Sequence, residues 1–177
     1  MFEMIGRKAE VGLVPREVEA MLAFYRDVIG LKIHSESQIP GGVNRRFLCG
    51  TTVVKHLCLD RQPMEGVKGV MAGYGLRQLT LVLPDFDAAI ARLAARGGEP
   101  RVSQGQNLRY HFTEDPDGNV IELVGHDSPD AAGAATVQVG MTVADPARTR
   151  AFYEDLLGRS VTGVKTWRGH EITTVEW

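Results

Sequence analysis

The chain has 177 residues, 44% of them hydrophobic, which is enough apolar material to build a core in one ordinary domain or two small ones. Its 20 basic and 22 acidic residues leave a net charge of −2, so neither nucleic acid nor an anionic membrane surface is the expected partner. The opening Met1-Phe2-Glu3-Met4-Ile5-Gly6-Arg7-Lys8 has no signal-peptide core, no stretch approaches the roughly 18 apolar residues of a membrane span, and Cys49 and Cys58 form no CxxC motif; a cytoplasmic protein is expected.

In chain order, Glu10-Val11-Gly12-Leu13-Val14 alternates as a strand does, and the helical stretch that follows carries Ala23-Phe24-Tyr25-Arg26-Asp27-Val28-Ile29-Gly30. Extended segments follow at Leu31–Ser37, Arg45–Cys49 and Thr52–Asp60. A second round begins with the strand Gln78–Leu83, an expected N-cap at Asp85, a helix over Ala88–Arg96 and Gly97-Gly98, then strands at Arg101–Ser103, Leu108–Thr113 and Val120–Gly125. Asp115-Pro116-Asp117-Gly118-Asn119 joins its last two strands as a tight hairpin, Pro presetting φ and Gly supplying φ > 0. A third round opens with Gln138-Val139-Gly140-Met141-Thr142, a helix over Pro146–Leu157 capped by Asp145, and two extended stretches, Val161–Trp167 and Glu171–Trp177.

The third round repeats the first at a fixed offset, since Ala151-Phe152-Tyr153-Glu154-Asp155-Leu156-Leu157-Gly158 lies 128 residues after its counterpart. Gly30, Gly98 and Gly158 close the three helices, where a left-handed residue suits the C-terminus. The fold class is therefore α+β, made of βαβββ modules at about 1–61, 74–126 and 135–177, two complete and the third partial. Linkers by composition lie near 62–73 and 127–135.

This combination of AFYRDVIGL, AFYEDLLG and FTEDPDGNVIELVG resembles the vicinal-oxygen-chelate superfamily of glyoxalases, bleomycin-resistance proteins and extradiol dioxygenases, over nearly the whole chain. The resemblance implies that modules one and two pair into a cupped half-barrel sheet around a small-molecule site. It also implies metal ligands on the first and last strands of each module, at Glu10 and His56 in module one and Gln78 and Glu122 in module two. Strand alternation supports this: with Val11 and Leu13, Leu79, Leu81 and Leu83, Val53, Leu57 and Leu59, and Ile121 and Leu123 on the helix-packed face, all four candidate ligands are expected to face the same way.

Two carboxylates, an imidazole and an amide oxygen suit a divalent ion such as Zn, Ni, Fe, Mn or Mg. Such an ion would polarise a substrate with adjacent oxygens, while Glu122, or in second place Glu10, shuttles a proton as the catalytic base. Each also has a plain structural role open to it: Glu10 as a solvated carboxylate, Gln78 as a strand amide, His56 as a hydrogen-bonded histidine. Arg109 and His111, alternating away from Leu108, Tyr110 and Phe112, are candidate substrate-binding residues, as is Arg46 opposite Phe47.

The step of 44 residues from Gln78 to Glu122, taken from Gln138, runs past residue 177, so the third copy lacks its own last-strand ligand. Either the sequence is the front part of a four-module chain, or the half-module pairs with its twin in a homodimer. Three functions are in play: a divalent-metal-dependent lyase, isomerase or epimerase of glyoxalase type; a metal-free ligand-binding protein of the resistance type; and the front of an extradiol-dioxygenase-like chain, against which Gln138 stands where a histidine ligand is wanted.

Overall fold

A computed structural model describes residues 10–61, 63, 66–127, 135–167 and 169–176. The expected start of module one before residue 10 and most of the 127–135 linker lie outside the described residues. The chain divides into two units, one of residues 10–142 and one that includes residues 143–176.

The larger unit holds two βαβββ modules. Module one runs β1 (Glu10–Leu13), α1 (Val18–Ala23) continued by a π-helical turn (Phe24–Ile29), β2 (Lys32–Ile39), β3 (Gly42–Cys49) and β4 (Thr52–Leu59). Module two runs β5 (Gly75–Val82), α2 (Phe86–Ala95), β6 (Ser103–Gln104), β7 (Leu108–Glu114) and β8 (Val120–His126), and is followed by β9 (Thr136–Thr142), the first strand of the third copy. The sheets have the orders β1-β4-β3-β2 and β6-β7-β8-β5-β9. Each module thus places its first strand parallel to its fourth, and in module two the outer edge of that first strand is filled by β9. Strand-edge pairing between modules is therefore made between module two and the third copy. It is symmetric, with Gln78 opposite Gly140, Leu79 opposite Val139 and Thr80 opposite Gln138.

Modules one and two meet instead through their helix-side faces, which share one core. Val11, Met21, Tyr25, Val28, Phe47 and Val54 from the first pack with Leu79, Leu81, Phe86, Ile121 and Leu123 from the second. Each such fully buried side chain contributes about 2 kcal/mol of transfer free energy. Module two also holds both ends of the first helix. The Asp117 carboxylate accepts from the Arg16 and Glu17 backbone N–H groups at its start (2.8 and 3.2 Å), and Arg92 donates to the Val28 and Ile29 carbonyls at its end (2.8 and 3.1 Å). Both groups match the sign of the helix end they cap. Gly30 suits this place through its φ of +93°, which side chains rarely adopt.

Two local expectations change. Asp85 makes no side-chain cap to α2 and faces Arg92 at 3.7 Å. Gly97 rather than Gly98 takes the left-handed conformation that ends α2. The hairpin at 115–119 forms as read, with Gly118 at φ +82°.

The smaller unit contains α3 (Pro146–Ala151), a second π-helical turn (Phe152–Leu156) and the hairpin of β10 (Ser160–Trp167) with β11 (His170–Glu176). Asp145 caps it as expected, accepting from Arg148 N at 2.9 Å. The repeat reaches individual hydrogen bonds: Leu31 N donates to Tyr25 O and Arg159 N to Tyr153 O, both at 2.9 Å. Phe24 is buried in the larger unit, whereas Phe152 is 48% exposed.

Candidate functional site

The face of the second sheet turned away from α2 carries the polar cluster. Leu79, Leu81, Ile121 and Leu123 take the core side, so Gln78, Thr80 and Glu122 must project from the other. The parallel register sets Thr80 beside Glu122. Thr80 Oγ1 donates to Glu122 Oε2 (2.7 Å), and Gln78 Nε2 donates to the same oxygen (2.8 Å) and to Thr80 Oγ1 (3.1 Å). Thr80 is buried, while Gln78 and Glu122 are half-buried. Gln138, exposed, stands directly across from Thr80 on β9 and on the same face. On the other flank Phe112 is paired with Glu122 and is 49% exposed, and Tyr110 meets it edge-on at 5.9 Å. The face is thus a carboxylate and amides beside an aromatic wall.

The corresponding face of module one differs. Gly12 pairs with Lys55 there as Thr80 pairs with Glu122, so Lys55 holds the place of the acid. Glu10 is ion-paired to both Lys55 and Arg46, and the Lys55 ammonium, with Arg46 adding to it, holds the Glu10 carboxyl below its usual range. Arg46 therefore does lie on this face, but bound to Glu10.

His56 is not on that face. It is fully buried in the core, edge-on to Tyr25 at 4.7 Å and tilted against Phe47 at 5.0 Å, and no described residue hydrogen-bonds either ring nitrogen. Desolvation pushes its pKa down to about 4, so it is a neutral ring. The expected phase of β4 is inverted: Val54, His56 and Cys58 face the helix, because Tyr25 and Phe47 form the aromatic pocket that receives the imidazole.

Arg109 and His111 are also turned away from the cluster. Arg109 pairs with Asp87 of α2 at 2.6 Å and Asp127 at 3.2 Å and lies over the Phe86 ring, 5.3 Å from its centroid; the buried His111 contacts the Arg101 carbonyl through Nδ1 at 3.0 Å. Asp87 of α2 and Asp127 after β8 draw Arg109 to the helix side, and Tyr110 and Phe112 alternate to the face of Glu122.

Of the expected four ligands, then, Gln78 and Glu122 come together, Glu10 lies on the other module's face and His56 in the core. Among the described residues no three His, Cys, Asp or Glu side chains converge on one point. The polar groups that meet on the second sheet are the Glu122 carboxylate, the Gln78 amide and the Thr80 hydroxyl, with Gln138 on the neighbouring strand; one carboxylate beside one amide is a sparse ligand set for a divalent ion. A cavity of about 260 Å³ lies elsewhere, near Cys49, Leu83 and Asp85, and includes none of these groups. Burial pushes the Cys49 thiol up to about 11, so it offers no nucleophile there. The cluster, with its convergent polar atoms, is the better candidate.

The sequence-family model of the glyoxalase/bleomycin resistance protein/dioxygenase superfamily matches residues 8–123. The chain belongs to this superfamily. No curated protein matches it significantly. Among solved structures, a single-residue variant of glyoxalase I from Zea mays is similar with a TM-score of 0.68 at 18% identity, over 96% of this chain and 62% of that one. Glyoxalase I from Zea mays itself gives 0.63 at 17% identity, over 97% and 62%. A lactoylglutathione lyase from Agrobacterium tumefaciens gives 0.47 at 23%, over 66% and 91%. The chain spans about 62% of the length of the Zea mays enzymes it resembles. At such identities the likeness establishes the superfamily fold, on which many reactions are carried out. Among the described residues no helix is long and apolar enough to cross a membrane.

Proposed function

We propose that the chain is a divalent-metal-dependent lyase, isomerase or epimerase of glyoxalase type, acting on a small molecule with adjacent oxygens at the face formed by β5, β8 and β9. The observation that carries this reading is the convergence of Gln78, Thr80 and Glu122 within hydrogen-bond distance on the cupped face of a superfamily sheet. Gln78 and Glu122 would hold the ion, with Gln138 reaching from the neighbouring strand. The ion would supply Lewis-acid polarisation of a carbonyl. Glu122 would serve as the base, its carboxylate taking a proton from a carbon next to that carbonyl and returning it to a neighbouring atom. Tyr110 and Phe112 would shield the substrate from water and pack on its apolar part. The homodimer and the cytoplasmic setting expected from the sequence belong to the same reading.

A second reading, metal-free binding of a small molecule, is favoured by the exposed Phe112 ring beside the cluster. Metal content by mass spectrometry, on protein purified without a histidine tag and compared with Glu122→Ala, separates the two. Near-stoichiometric metal that is lost in the variant supports the enzyme; none in either supports the binding protein.

A further inference from the structure

We infer that the first sheet carries a second ligand site, for the carboxylate group of a small organic acid, formed by Arg46 and Lys55 and closed by Glu10 in the free protein. The site lies on the face of β1, β3 and β4 turned away from the core. It shares no residue with the Gln78–Glu122 cluster and does not depend on the function proposed above.

Arg46 and Lys55 are direct partners across β3 and β4, and both alternate away from the core residues Phe47 and Val54. Two cations placed opposite each other repel, which costs stability unless an anion is set between them. Glu10 supplies it: Arg46 Nη2 bonds Oε1 and Lys55 Nζ bonds Oε2, and together they hold this carboxyl below its usual range. The arrangement is that of a carboxylate bridging two cationic donors, one oxygen to each.

The charges on this face do not balance. The four strands of the sheet carry two acids, Glu10 and Glu36, and Glu36 bonds Arg45 on the other face at 3.0 Å. Lys32, opposite Leu48 across β2 and β3, adds a third cation to the face of Arg46. Three cations thus stand against one carboxylate. The side chains of Arg46 and Lys55 have no further hydrogen-bond or ion-pair partner among the described residues, although a guanidinium has five N–H groups and an ammonium three.

Ion pairs open to solvent are weak, and these three side chains are between 25 and 35% exposed, so an external carboxylate can take the place of Glu10. Leu48, exposed, and Leu57, half-buried, flank the cations on the same face and would pack on the carbon chain of the acid. Because Lys55 stands where module two has Glu122, this sheet attracts the ligand charge that the second sheet repels.

Isothermal titration with succinate, at an ionic strength held constant with sodium chloride, tests this in wild type, Glu10→Gln, Lys55→Met and Glu122→Gln. Glu10→Gln should bind succinate roughly fivefold more tightly than wild type, through loss of the competing charge, and Lys55→Met roughly tenfold more weakly. Glu122→Gln should bind it as wild type does. Thermal melts establish that each variant is folded, and Lys55→Gln replaces the methionine variant if that one is not. No binding by either wild type or Glu10→Gln, binding by Glu10→Gln no tighter than by wild type, or full binding by the Lys55 variant overturns the inference. Loss of binding in Glu122→Gln overturns it as well, since succinate would then sit on the second sheet.

Discussion

Lys55 holds in the first sheet the place that Glu122 holds in the second, each lying beside the third residue of its module's alternating first-strand pattern, Gly12 or Thr80. One fold position thus carries opposite charges in two copies of one module, and Glu10 is ion-paired with Lys55 and Arg46 where its uncharged counterpart Gln78 is hydrogen-bonded to Glu122 and Thr80. Glu10→Ala should leave bound metal at the wild-type level while Glu122→Ala abolishes it. Parallel metal analyses of the two variants check this, and equal loss in both would mean that the first sheet also contributes ligands.

His56 gives the fold a pH dependence whose sign is fixed by its burial. Its pKa falls from about 6.5 in the unfolded chain to about 4 in the folded one. Between these values the unfolded chain takes up a proton that the folded chain refuses, so stability falls as the pH drops from about 6.5 to about 4, by on the order of 3 kcal/mol in all. Burial raises the Asp115 carboxyl and works in the opposite direction, so the informative quantity is the difference between wild type and His56→Phe. Phenylalanine fits the aromatic pocket and removes two unpaired nitrogens. Urea unfolding should show the variant to be more stable by roughly 1 kcal/mol at neutral pH, with the gap widening on acidification.

Tyr25 and Asp115 tie the two modules together. The buried tyrosine hydroxyl donates to Asp115 Oδ2 at 3.1 Å, and the same carboxylate accepts from Asp117 N, Asn119 N and Asn119 Nδ2. Tyr25→Phe removes the donor from module one and should cost about 1 to 3 kcal/mol in chemical denaturation. Asp117→Ala frees two N–H groups at the start of the first helix and should cost about 1 kcal/mol.

Phe112 and Arg109 sit on opposite faces of β7, and ligand binding distinguishes them. Phe112→Ala should weaken binding of any small molecule taken up at the Glu122 face roughly tenfold, through loss of its aromatic contact. Arg109→Ala should leave that affinity unchanged and affect thermal stability alone, because its partners are Asp87, Asp127 and the Phe86 ring. Fluorescence or calorimetric titration of both variants gives the answer.

How far the sequence could be read depended on how each strand divides its apolar residues. In β5 and β8 the core side holds Leu79, Leu81, Ile121 and Leu123, so alternation alone put Gln78 and Glu122 on the other face, where they are found. In β4 both faces are apolar, Val53 and Leu57 on one, Val54 and Cys58 on the other, and alternation cannot rank them; the buried His56 was lost to that ambiguity. In β7 the rule that polar residues face the cup fails because Asp87 and Asp127 attract Arg109 to the far side. The repeated helix motif and its offset were legible because they repeat as a block. The pairing of β9 with β5 was not, since nothing local marks which strand edge a distant strand will fill.

That pairing also extends the polar face beyond module two. Thr80 and Gln138 are neighbours across β5 and β9 although roughly sixty residues separate them along the chain. A contact of such long range carries a larger loop-closure cost than the hairpins β2–β3, β3–β4 and β7–β8, which close from their own turns. A ligand that touches Gln138 as well as Glu122 therefore spans two copies of the repeat and ties the edge strand to the sheet of module two.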